Sequence, residues 1–262
     1  MAWFWRGLRE GMVTTRYPKR PDTYANAFPA AIAVREAPPP LTAREATELC
    51  PTRAITVDDA DMAQVDRGRC ILCGRCTRGR PDIFTQGHGS ETAAPGRTGL
   101  IVPQTAGDDT ALTALRKDLA SRTARFRRSL HIRHIDAGSD GSEEWEIAAL
   151  LNPVYDIHRL GMFFTASPRH ADVLLITGAG ARGMAAPLRR TYEATAQPVV
   201  VIAAGTDACS GGVYADSYAT HSGLAEMVDV DIWVPGSPPS PFSLLHGLLL
   251  ATGRLTAKGL SA

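Results

Sequence analysis

The sequence predicts two architectures in series: a small α+β module that ends near residue 90, and an α/β domain with a parallel sheet over 129–262. Three observations carry that expectation. Cysteines 70, 73 and 76 crowd into seven residues, with Cys50 twenty residues upstream, so the front segment is organised round ligating side chains. From about residue 130, continuous apolar runs alternate with helical runs, the pattern of parallel strands covered on both faces. Between the two lies a stretch, 87–110, rich in Gly, Thr and Asp, which reads as loop or linker.

The elements follow in order. Residues 1–20 place Phe4, Leu8 and Met12 on one helical face, with Trp5 beside them. Arg6, Arg9, Arg16, Lys19 and Arg20 add positive charge, and Trp3 and Trp5 suit a membrane interface. Together these describe a helix lying on a bilayer surface; a helix packed on a partner subunit fits equally well. With the extended residues after it, this helix makes an N-terminal segment, 1–37. Pro38-Pro39-Pro40 opens the cysteine module, 38–90. A linker and helix, 91–128, follow; the helix over 111–128 has Arg122, Arg125, Arg127 and Arg128 as a solvated face. In the last segment, 129–262, strands are expected at 130–135, 172–177, 198–204 and 231–234, with a helix at 184–195. The glycines from Gly178 to Gly183 turn the second strand into its helix. His131 and His134, three apart on a strand, point to opposite faces and make a poor metal site.

Composition narrows the function. The 262 residues are 44% apolar and 21% charged, enough to bury a core. A net charge of +1 argues against a nucleic-acid partner, which would need a basic excess. Five cysteines, most of them clustered, suit metal ligation in a reducing compartment better than disulfides. No apolar run nears the ~20 residues that span a bilayer, and no secretory leader is evident. A cytoplasmic location is expected.

The chemistry is in the cysteines. Cys70-Ile71-Leu72-Cys73-Gly74-Arg75-Cys76 gives C-x2-C-x2-C. Two-residue spacings let a tight loop wrap three thiolates round three corners of an iron–sulfur cube, with a distant fourth closing the cage. Cys50, followed by Pro51, is the candidate for that fourth place. A four-cysteine zinc site is the competing reading, although such sites usually present two separate pairs.

Cys50-Pro51-Thr52-Arg53-Ala54-Ile55 resembles the end of a first ferredoxin motif, which makes the front part a ferredoxin-like module with a single [4Fe–4S] cluster. The ligand positions of a second ferredoxin cage hold Pro40, Ala43, Ala46 and Arg80, none of them a thiol. In the second half, several segments carry a further resemblance. They are Arg133–Ser139, Glu144–Ile147, Asn152–Asp156, Ser167–Asp172 and Val234–Pro239. Together they resemble the small subunit of group 4 [NiFe]-hydrogenases and of respiratory complex I, which implies a flavodoxin-like parallel sheet. The chain looks like a fusion of the two kinds of subunit.

That family holds a cluster of its own in this domain. The matching ligand positions here are Asp140, Glu143, Asp207 and Ser237, so the second cluster is expected to be absent. Cys209 reads as a small buried residue. Converging carboxylates raise one another's pKa. They call for a charge partner such as Arg169 or His170, a hard cation, or a proton-handling role. The resemblance implies a hydrogenase-like or complex I-like large subunit and membrane subunits as partners, with the chain peripheral on the inner face of the cell membrane. Two functions remain open: an electron-transfer subunit without a catalytic centre of its own, or a scaffold subunit of a repurposed, ion-translocating assembly.

Overall fold

The computed structural model describes residues 2–20, 27–104, 108–124 and 129–255. The apolar runs become continuous buried strands. β7 (Leu130–Asp136), β8 (Met162–Phe164), β9 (Val173–Thr177), β10 (Val200–Ala204) and β11 (Ile232–Val234) form a parallel sheet in the order β11-β10-β9-β7-β8. Alternate residues serve opposite cores. Val173, Leu175, Val200, Ile202, Ile232 and Val234 pack with Phe242, Leu245 and Leu249 of α8 (Pro241–Ala251). Leu174, Ile176, Val201, Ala203 and Trp233 pack on the other face with Leu188 of α6 (Ala185–Ala194). Burial on both faces is why these strands read as unbroken hydrophobic runs. The fold is α/β, as expected.

Two short helices start at the carboxyl ends of these strands, the end at which parallel sheets usually place their sites. α5 (Ser142–Ala149) follows β7, and α7 (Thr206–Ser210) follows β10. The glycine-rich turn after β9 is shaped by close approach. Gly178 sits at φ 87°, and a Cβ there would come within 2.5 Å of the backbone at Gly138 and Ser139.

The cysteine segment has its own sheets. β1 (Pro29–Val34) pairs antiparallel with β4 (Phe84–His88), and β2 (Ile55–Val57), β3 (Ala63–Asp66) and β6 (Ile101–Val102) form a three-stranded antiparallel sheet. Strands 29–34 and 101–102 therefore flank the stretch 38–90 on both sides. The residues read as linker are a clasp: β5 (Ala94–Pro95) adds antiparallel to β11 on the large sheet, while β6 adds to β3 on the small one.

Two expectations need correction. The helix read over 111–128 is α4 (Asp108–Thr123), and Arg125, Arg127 and Arg128 lie outside the described residues. Arg122 is no solvated face: it pairs with Asp118 at 2.9 Å and with Asp231 before β11, docking the helix. At the front, α1 (Ala2–Glu10) ends before Met12, so only Phe4 and Leu8 share its face. Trp3, Trp5 and Leu8 are 77%, 68% and 63% exposed. Seven residues on, the chain is anchored. Tyr17 is buried against Phe242, its hydroxyl donates to Glu91 at 3.1 Å, and Arg159 donates to its carbonyl.

Candidate metal centre

Local structure delivers each cysteine. α2 (Ala43–Leu49) begins with a capping box, in which the Thr42 hydroxyl accepts from the Glu45 amide and Glu45 accepts from the Thr42 amide. It ends at Cys50, whose amide still donates to Ala46, because Pro51 cannot continue a helix. Cys70 follows the turn after β3, and Cys76 rides the short helix α3 (Arg75–Gly79). Between them Leu72 takes φ 54° and Gly74 φ 70°, left-handed conformations that curl the loop back on itself.

The outcome is convergence. Cys50, Cys70, Cys73 and Cys76 line one recess, otherwise walled chiefly by apolar side chains such as Ile32, Leu49, Ile55 and Val65. Burial pushes the Cys70 thiol up to about 12, with the other three sulfurs contributing, and raises Cys76 in the same way. Bare, such thiols stay protonated; a bound cationic centre is what makes them thiolates. The Ala54 amide donates to Cys50 Sγ at 3.1 Å, and the Thr52 hydroxyl donates to the Arg69 carbonyl at 2.7 Å, tying the two ligand segments together.

Among the described residues, no three His, Cys, Asp or Glu side chains are placed so as to hold a metal ion. The donor set and the apolar wall fit a cluster of iron and sulfide.

The positions where a second ferredoxin-type cage would lie are otherwise employed. Ala46 is buried in the module's core. Arg80 bonds Asp82 at 2.9 Å and Glu45 at 3.3 Å.

At the carboxyl end of the large sheet, Asp140, Glu143 and Asp207 come together. Glu143 is 2% exposed and is pushed up to about 7 by burial, with the charges of Asp207 and Asp140 adding to the effect. Asp207 is raised to about 6 by burial and by Asp140. Asp140 lies at the surface and is held below its ordinary range by hydrogen bonds to Ser142. The packing is close: a Cβ on Gly205 would meet Glu143 Oε1 at 2.3 Å. Ser237 is exposed and follows Gly236, whose carbonyl accepts from the Thr206 amide at 2.7 Å. Arg169 and His170 are not the partners of these acids. They sit in the turn Pro168–His170 before β9, at the amino end of the sheet, five strand residues of about 3.3 Å each from the acids.

Sequence reasoning missed three features here. Thr206 donates to the Cys70 carbonyl at 3.0 Å, joining the two sites. Arg67 is a buried cation in the cysteine module. His134 meets the Thr177 hydroxyl at 3.0 Å, and Thr177 donates to Glu144 at 2.6 Å. No spacing rule marks any of them, since each contact joins residues far apart in the chain.

Known proteins resemble this chain over more than half of its length. A profile of the family described as NADH ubiquinone oxidoreductase, 20 Kd subunit, matches residues 141–251. Formate hydrogenlyase subunit 7 of Escherichia coli (strain K12) is 36% identical over 160 residues, 61% of each chain, so the protein spans about three fifths of that relative. The probable membrane-bound hydrogenase subunit mbhJ of Pyrococcus furiosus is 38% identical over 141 residues, 54% of this chain and 84% of that one. Among solved structures, one of the membrane-bound sulfane sulfur reductase (MBS), an archaeal respiratory membrane complex, aligns at 29% identity over 50% of this chain and 75% of that one. Its TM-score of 0.44 is too low to bear weight. With 84% of the Pyrococcus relative covered at this identity, the chain belongs to the family of the NADH ubiquinone oxidoreductase 20 Kd subunit.

Proposed function

We propose that this chain is an iron–sulfur electron-transfer subunit of a hydrogenase-like or complex I-like membrane complex, formed by fusing a ferredoxin-like module to a small-subunit domain. One [4Fe–4S] cluster is held by Cys50, Cys70, Cys73 and Cys76; the small-subunit cage is replaced by Asp140, Glu143, Asp207 and Ser237. The observation that carries the reading is the single recess lined by all four cysteines. When bound, the cluster supplies one-electron exchange. The chain's own residues hold it, exclude water from its inner side with Ile32, Ile55 and Val65, and leave Cys73 at the surface, where a partner can approach.

The relatives' names, formate hydrogenlyase and membrane-bound hydrogenase, support large and membrane subunits as partners. No helix among the described residues is long and apolar enough to cross a membrane. The exposed tryptophans of α1, with Arg6 and Arg9, support attachment to the inner membrane face from the cytoplasmic side.

A scaffold role in a repurposed, ion-translocating assembly is the second reading, favoured by the carboxylates standing where the family keeps a cluster. The two readings part in Cys73→Ser membranes. Electron transfer through this chain requires that complex activity collapses while assembly persists; full activity assigns the scaffold.

A further inference from the structure

Arg67 is 8% exposed. Its Nε donates to the Ile32 carbonyl at 3.3 Å, and its amide donates to the Leu100 carbonyl at 2.9 Å, so the residue is fixed between the recess wall and the clasp. Among the described residues no carboxylate pairs with it. The neighbouring arginines are all provided for: Arg97 takes Asp66 through two bonds of 2.6 Å, Arg69 shares Asp66 at 3.7 Å, Arg80 takes Asp82 and Glu45, and Arg53 takes Asp216. Arg75 and Arg78 reach backbone carbonyls of Glu48 and Cys73 from the solvent side.

A buried guanidinium without an anion is costly, and truly unpaired ones are rare. The wall that Arg67 bonds is the cage's own, because Ile32 lines the recess together with all four cysteines. Arg67 and Cys70 are joined through the backbone as well, the Cys70 amide donating to the Arg67 carbonyl at 3.3 Å. The anion that fits this guanidinium is the one the recess would hold. A four-iron cluster on four thiolates is anionic and takes on one more negative charge when reduced, and its potential depends on charge and burial around it.

We propose that Arg67 is the internal counter-charge of the cluster, favouring its reduced form and so raising its reduction potential. This rests on the cluster assignment above. Unlike the exposed arginines of the cysteine loop, Arg67 acts from the dry side, where solvent and salt screen little.

The test uses the full chain, loaded anaerobically with iron and sulfide and titrated with dithionite while the reduced-cluster EPR signal is followed. Arg67→Met keeps the bulk of the stem without the charge; Arg67→Lys keeps the charge. The reduction equilibrium of Arg67→Met should weaken by about tenfold, a midpoint drop of ~59 mV for one electron, with Arg67→Lys close to wild type. A loaded Arg67→Met with an unchanged midpoint overturns the proposal, as does Arg67→Lys shifting as far as methionine. Should Arg67→Met fail to load, the comparison moves to retention of four irons: Arg67→Lys loading alone upholds the counter-charge, and both failing alike overturns it. Wild-type protein that binds no four-iron cluster is a different result, a failure of the cluster assignment itself.

Discussion

Thr206 donates its hydroxyl to the carbonyl oxygen of Cys70 across 3.0 Å. One end of that bond lies in the cysteine loop, and the other is the first residue of α7, immediately before Asp207. The ligand loop is thus seated on the corner of the large sheet where the acid cluster begins. The two halves are not beads on a string, and β5 and β6 reinforce the join from the other side.

Removing the hydroxyl should loosen that join. Thr206→Val leaves the Cys70 carbonyl without this donor and the volume nearly unchanged, at a cost of about 1 kcal/mol. Denaturant unfolding should show a lower midpoint, and hydrogen exchange should speed up in residues 70–73 first. Unchanged exchange there would show that the bond does not seat the loop.

The buried carboxylates predict a pH dependence of known sign. Glu143 titrates near 7 in the folded protein against an ordinary glutamate value of about 4.3 when unfolded. The folded state therefore holds its proton more tightly, and stability falls as pH rises from about 4.5 to 7, then levels off. Asp207 acts in the same direction, up to about 6. Glu143→Gln should flatten this slope and stabilise the protein at pH 8, on the order of 2 kcal/mol after allowance for screening. A variant no more stable than wild type at pH 8, with the slope intact, would refute it.

Cysteines should divide sharply by place. Serine at Cys50, Cys70 or Cys76 should cost most of the bound iron. Cys209, buried among Ala208, Leu224 and Trp233, is in the sheet core and outside the recess. Cys209→Ser should cost about 1–3 kcal/mol through an inserted polar group and leave the iron content alone. Iron analysis of the four proteins decides the matter.

At the N-terminus, Trp3→Ala with Trp5→Ala should abolish most binding to vesicles containing anionic lipid, leaving the fold untouched because both rings are exposed. Wild-type binding should weaken with added salt, since Arg6 and Arg9 contribute through charge. Sedimentation with vesicles at two salt concentrations measures both effects. Equal pelleting of wild type and the double variant would assign α1 to a protein partner.

How much of this was legible in the sequence depends on the distance of each contact along the chain. Strands such as 172–177 and 198–204 were readable because burial on both faces writes an unbroken apolar run. The cysteine recess was readable because three of the cysteines that line it lie within seven residues, although the left-handed turns at Leu72 and Gly74 that curl the loop were not. The meeting of Asp140, Glu143 and Asp207 was reached through family resemblance, and their electrostatic coupling agrees with it. Other features had no local mark. Arg67 is one arginine among several in its stretch, and only the tertiary wall built by Ile32 and Leu100 makes it buried. Arg169 and His170 were misplaced as acid partners because sequence order does not say which end of a strand faces the site. Arg122 looked like one member of a basic face until Asp231, more than a hundred residues on, closed on it.

The central claim is that this polypeptide holds one four-iron cluster, in the front recess and nowhere else. Iron and acid-labile sulfide should be counted per chain after anaerobic loading, with the EPR spectrum recorded after dithionite reduction. The account predicts about four of each and a single cubane signal that disappears in Cys70→Ser. About eight irons with two signals, or a colourless protein carrying one zinc, would contradict it.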